Sequence, residues 1–264
     1  MPRFDYNNSM TKRHIAAALA VAAVSLLQMP EANAQNGPIR ILVSNGMKAA
    51  MEELQPQCER AIGSPLALQF SSTAALKKRI EAGEMFDGTI ITAEAVSELI
   101  KQSKLASGSR MDLGRSAVGI GIRAGSAKPD IRTVEALKQA LLNAKSITFP
   151  QDGATRGFIE KMFEHMGIAA QIKSKIILAP GSGPATESVA AGKATFVITL
   201  FSEIVPIHGV EILGPLPGDY QNYVNFTAAA SATTKNAAAV KSLIAMLAGP
   251  KAAPILKAKG IEVR

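Results

Sequence analysis

The chain has 264 residues, 47% of them hydrophobic and 19% charged, with 21 Gly, 14 Pro and no Trp. That composition excludes disordered, collagen-like and coiled-coil proteins and leaves a globular chain with room for one domain or two lobes. The net charge of +8 is dispersed and forms no basic stripe, which sets nucleic acid aside as a partner and leaves at most the steering of an anion.

Arg3, Lys12 and Arg13 precede an apolar run, Ile15 to Met29, that is too short to span a bilayer, and Ala32-Asn33-Ala34 is a small-x-small cleavage site. Residues 1–34 therefore read as a signal peptide cleaved after Ala34, and the rest as a soluble, exported chain. A start at Met10 would leave the same signal complete. A lone Cys58 allows no internal disulfide, and with His14, His165 and His208 scattered it offers no zinc-ligand spacing.

From there, short apolar runs alternate with helix-period segments, the pattern of an α/β fold. The first strand is Ile39 to Ser44. Asn45-Gly46 opens a helix with Met47, Met51, Leu54, Cys58 and Ile62 on one face, which Pro56 should kink or split. Pro65 to Phe70 is the second strand, and Ser71-Ser72-Thr73 starts a helix that ends at Gly83. Gly88 to Thr92 is the third strand, followed by a helix carrying Ala95, Leu99 and Ile100.

Ser116 to Ile122 reads as a strand with Gly119 and Gly121 in alternation, and a helix follows with Val134, Leu137, Leu141 and Leu142. Two further β-loop-α units come next. In one, strand Ser146 to Phe149 leads through Gln151 to Thr155 into a helix closed by Gly167. In the other, strand Lys175 to Leu178 leads through Ala179 to Gly183 into a helix from Pro184 to Gly192. Phe196 to Phe201 is a buried strand. Val224 to Ala229 is a strand with no partner near it in sequence, followed by helices around Val240 to Leu247 and Ala252 to Lys257. Two βα lobes joined by two crossing strands, near Ser116 to Gly125 and Val224 to Ser231, explain that break in the pattern. The lobes would be residues 35–118 with 228–264, and residues 119–227, with a ligand-closing cleft between them.

Four βα turns place small or hydroxylated residues at helix starts: Asn45-Gly46, Ser71-Ser72-Thr73, Ala154-Thr155-Arg156-Gly157 and Ser182-Gly183-Pro184. Free amides and the positive dipole end at such sites favour an anion, although the same residues are ordinary helix caps. Arg156 has a fork suited to a carboxylate or oxyanion, but an Arg in a first turn can equally point to solvent or pair with Asp152. Gly119-Ile120-Gly121 lacks the strand-to-helix setting of a dinucleotide fingerprint, and Ser182 is in no nucleophile elbow, so a secreted hydrolase has no catalytic dyad to rest on.

The stretches ILVSNGMKAAMEEL, FSSTAALKKRIEAGEMFDGTIITAE, SITFPQDGATRGFIEKMFEHMGI, SGPATESVAAGKATFVI and LAGPKAAPILKAKGIEV resemble the periplasmic molybdate-binding proteins and their less specific relatives, within the type II periplasmic binding proteins. The resemblance implies a two-lobed α/β fold, each lobe a mixed sheet flanked by helices, with two crossing strands as hinge. It also implies a monomer in the periplasm without catalysis or cofactor, which delivers a small anionic solute to the membrane permease of an ABC importer. A ligand sensor that presents its bound form to a membrane partner is the alternative. The candidate ligand residues are Asn45, Gly46, Ser72, Thr73, Thr155, Arg156, Gly157 and Ser182; of these the family's hydroxyl positions match Gly46, with Asn45 nearest, and Thr73, beside Ser72, and its backbone-amide positions match Arg156 and Ser182. The family's first hydroxyl falls at Gly46 and its cleft Tyr at Leu200, so two donors are lost while Arg156 is gained. Those changes favour a larger or carboxylate-bearing anion over molybdate.

Overall fold

The computed structural model describes residues 1–2 and 37–263; the charged, apolar and Ala-Asn-Ala segments read as a signal lie outside the described residues. No helix among the described residues is long and apolar enough to cross a membrane.

Strand β1 (Ile39–Ser44) is almost wholly buried because it lies between two parallel neighbours, β2 (Leu66–Ser71) and β3 (Gly88–Thr92). Its alternation sends Ile41 and Val43 into one apolar cluster, with Met51 and Leu54, and Leu42 into another, with Leu76, Ile80 and Leu99. The chain leaves β1 by a tight 3-10 turn, Asn45–Met47, into α1 (Lys48–Ile62). Pro56 does not split α1, contrary to the reading above. Pro56 and Glu52 are both exposed, so water can satisfy the carbonyl that the missing N–H leaves free.

Ser72 caps α2 (Thr73–Glu81) by accepting the N–H of Ala75 at 3.2 Å, and Thr92 caps α3 (Ala93–Lys101). The first crossing strand, β4 (Met111–Arg123), is longer than its apolar core suggested. The second half of the chain runs α4 (Val134–Asn143), β5 (Ile147–Pro150), α5 (Arg156–His165), a short α6 (Ala169–Ile172) and β6 (Ile176–Ala179). It continues through α7 (Ser182–Ala190), β7 (Phe196–Leu200), a one-turn α8 (Phe201–Ile204) and β8 (Val210–Pro215). The second crossing strand, β9 (Tyr223–Ala230), then leads to α9 (Ala237–Leu247) and α10 (Ala253–Ala258), which pack back on α1.

The strand order is β2-β1-β3-β9-β4-β7-β5-β6, with β8 beside β4. β9 solves the missing-partner problem by inserting antiparallel between β3 and β4. β4 pairs with β9 through Met111 to Ala117 and with β7 through Val118 to Ile122, so one strand serves both halves of the sheet. The β4 glycines permit a close approach: a Cβ on Gly119 would lie 2.1 Å from the Phe201 ring and 2.7 Å from the Gly214 carbonyl oxygen. The parallel strands β1, β2, β5 and β6 each end at a turn that starts a helix, and those ends position the site.

Candidate ligand-binding site

A cavity of about 20 Å³ lies where these turns meet. Ser44 and Asn45 line it from the end of β1, Ser72 and Thr73 from the start of α2, Asp152 to Thr155 from the loop after β5, and Gly181 with Ser182 from the start of α7. Leu200 and Glu203, at the turn between β7 and α8, complete the wall. At this volume it admits little more than one water-sized group, so a polyatomic ligand requires the turns to part.

Hydroxyls dominate the lining. Thr73 Oγ1 donates to Ser44 Oγ at 3.3 Å, and both residues are buried. Ser72 Oγ donates to Asp152 Oδ2 at 3.1 Å, which links the turn after β2 to the loop after β5. Thr155 is only 2% exposed and its Oγ1 has no hydrogen-bond partner. A buried hydroxyl left this way costs about 1–3 kcal/mol, a cost that a ligand oxygen would relieve. The α2, α5 and α7 N-termini bring first-turn amides, which have no acceptor within their own helix, to the same region.

Glu203 is the site residue that the sequence reading missed. Extending the strand through Phe201 hid a fifth βα turn, and the signal would have been an acidic residue three positions past the apolar run Phe196–Leu200. Thr199 Oγ1 donates to Glu203 Oε2, and Ser182 lines the cavity beside the same carboxyl. Removal from bulk water pushes the Glu203 carboxyl above the usual Glu range, against the Thr199 and Ser182 side chains and the Leu200 backbone, which pull it down.

Of the residues expected at the site, Asn45, Ser72, Thr73, Thr155 and Ser182 meet at this cavity. Arg156 does not line it. Its Nε pairs with Glu160 Oε1 at 2.9 Å, one helical turn on, and its Nη1 donates to the Gln151 carbonyl at 2.5 Å. Asp152, the other partner considered for Arg156, is taken by Ser72. Gly157 is exposed, with open space where a side chain would stand. Gly46 is buried just behind the wall, where a Cβ would lie 2.4 Å from Phe226 Cζ and 3.1 Å from Leu200 Cδ1. The β9 phenyl ring thus fills the space that a hydroxyl-bearing side chain would need there. Among the described residues, no three His, Cys, Asp or Glu groups converge as metal ligands.

Comparison with known proteins agrees with this architecture. Residues 39–262 match the family described as bacterial extracellular solute-binding protein. A Pseudomonas protein named aconitate isomerase is 27% identical over 251 residues, 92% of this chain and 95% of that one. The molybdate-binding protein ModA of Escherichia coli is 24% identical over 250 residues, 93% of this chain and 96% of its own. The solved periplasmic molybdate-binding protein of Azotobacter vinelandii superposes with a TM-score of 0.71 at 19% identity, covering 86% of this chain and 99% of that one. The fold is that of the type II periplasmic binding proteins, and with its family match spanning nearly all of the described residues the chain belongs to the bacterial extracellular solute-binding proteins.

Proposed function

We propose that this chain is the periplasmic receptor of an ABC-type importer and holds a small anion in the cavity between the β1, β2, β5 and β6 turns. The observation that carries the reading is the buried, unpartnered Thr155 hydroxyl in a cavity otherwise walled by Ser and Thr hydroxyls and helix starts. In this reading residues 35–118 with 228–264 form one lobe and 119–227 the other. β4 and β9 form the hinge, and the closed form alone completes the site.

The lining by hydroxyls and helix starts and the outward pairing of Arg156 favour a compact oxyanion, held by Asn45, Ser72, Thr73, Thr155 and Ser182, over a polycarboxylate. The molybdate-binding relatives support the same class.

One observation favours a second reading, an isomerase acting on an unsaturated carboxylate. Glu203, a carboxyl with raised proton affinity, stands in the cavity wall, and the relative named aconitate isomerase aligns over nearly the full chain.

A thermal-shift and calorimetric series with molybdate, sulfate, phosphate, cis-aconitate and trans-aconitate separates the readings. A ligand at about 100 times its Kd adds roughly 2.7 kcal/mol to stability. Binding of an oxyanion without conversion of either aconitate supports the receptor; interconversion of the two aconitates followed by proton NMR supports the isomerase.

A further inference from the structure

We propose that Glu203 stands in this cavity as a neutral carboxylic acid and donates its own proton in a hydrogen bond to an oxygen of the bound anion, so that anion binding is coupled to protonation of the protein. The inference rests on the reading of the cavity as an anion site and names how that site meets negative charge.

Two carboxyl groups, Asp152 and Glu203, line the cavity, and no Lys, Arg or His does. Asp152 takes the Ser72 hydroxyl and stands on an exposed loop, where water can solvate its charge. Glu203, partly buried, sits deeper, between Ser182 and Thr199. An ionised Glu203 would face an anion at close range with no cationic side chain in the wall to offset the repulsion, whereas the acid form adds one more donor to the hydroxyls and helix-start amides.

The charged groups on the elements packed against α8 are engaged elsewhere or exposed. On β4, Arg115 pairs with Glu262, Asp112 accepts from Thr227 and Arg110, and Arg123 is exposed. Glu211 on β8 pairs with Lys128, and Glu187 on α7 is exposed. Lys259, one residue before the Gly260 that abuts Phe201, pairs with Glu53. The strand β7 and the Asn45–Met47 turn carry no charge. Burial therefore acts on Glu203 without a cation to oppose it, which is the direction of its shift.

Above the pH at which free Glu203 ionises, binding takes up one proton from solvent per anion: the carboxylate, the anion and a proton give the acid bonded to the anion. Kd should then weaken by about tenfold per pH unit. The test has two arms on the full-length mature chain and Glu203→Gln. The first, infrared difference spectroscopy of wild type against Glu203→Gln without added ligand, should show a protonated-carboxyl C=O band in wild type that persists above the ordinary Glu value of about 4.3 and is lost only as pH rises further. Absence of that band overturns the proposal whatever binds. In the second, calorimetry with molybdate and with trans-aconitate, in buffers of different ionisation enthalpy, should show proton uptake by wild type and none by Glu203→Gln. Binding with no uptake and no pH dependence overturns the coupling. Failure of both probes to bind while the band is present removes the anion reading and leaves the acid form of Glu203 established.

Discussion

Ser72 and Asp152, 80 residues apart in sequence, are joined by a 3.1 Å hydrogen bond from the serine hydroxyl to the aspartate carboxylate. Ser72 uses the same oxygen to accept the Ala75 N–H, so the cap of α2 is also the latch onto the loop after β5. Asp152→Ala should leave the α2 cap intact and weaken only the latch. A bond of about 1 kcal/mol shifts a closed-to-open ratio about fivefold. Small-angle scattering should show a larger mean radius of gyration for the variant, with an unchanged melting temperature. Ser72→Ala should add a loss of about 1 kcal/mol in stability from the missing cap.

Thr155→Val separates stability from binding. The substitution keeps the shape and deletes a buried hydroxyl that has no partner, so the denaturation midpoint should stay level or rise. Affinity for a compact oxyanion should fall about tenfold, the equivalent of one hydrogen bond near 1.4 kcal/mol. Parallel chemical denaturation and calorimetry check both; a variant that loses stability as well as affinity would show that Thr155 supports the fold.

Gly46→Ala tests the filled corner behind the cavity. Its Cβ would press on Phe226 Cζ at 2.4 Å, and overpacking of this kind costs about 1–3 kcal/mol. A guanidinium chloride midpoint should drop accordingly. Adding Phe226→Leu should recover part of the loss, since it removes the atom in conflict; independent, additive losses would show that the two positions do not compete for that space.

Arg156→Gln should change little. The guanidinium sits in an i,i+4 pair with Glu160, with both side chains substantially exposed, and such pairs contribute about 0.3–0.5 kcal/mol. Ligand affinity within about twofold of wild type is expected by calorimetry. A loss of tenfold or more would instead place the guanidinium on the ligand.

The last prediction is a pH slope. Burial raises the Glu203 carboxyl in the folded chain above its unfolded value, so the folded state holds that proton more tightly. Its contribution to stability is fully present below the ordinary Glu range and is lost as pH rises through the folded value. Glu203→Gln has no such proton. Thermal melts from about pH 4 to about pH 9 should show wild type losing stability relative to Glu203→Gln as pH increases; parallel curves would contradict the assignment.

These cases also mark how far the sequence carried. Helix starts such as Ser72-Thr73 and Ser182 were legible because caps and small residues follow local rules, and they do meet at the cavity. Arg156 was legible as a residue type, but its direction depends on Glu160 one turn later and on the Gln151 carbonyl. Gly46 showed the absence of a hydroxyl. That Phe226 fills the space is a contact across 180 residues, which no local pattern encodes. Glu203 was hidden because a continuous apolar run gives no mark of where strand becomes helix. β8, whose residues are only partly buried, lacked the periodicity that identified the other strands.

The position of β9 also sets the order in which the molecule can be completed. β1, β2 and β3 are finished by Thr92, yet β3 finds its other neighbour only in residues 226–230. Until the ribosome has made nearly the whole chain, β3 presents an open edge and the first half of the sheet cannot close. Such long-range pairing folds slowly, because the loop must be closed before the contacts repay it. A nascent or truncated chain that stops short of Tyr223 would therefore stay unfinished, prone to edge-to-edge association yet still pliable enough to be threaded or captured by a chaperone.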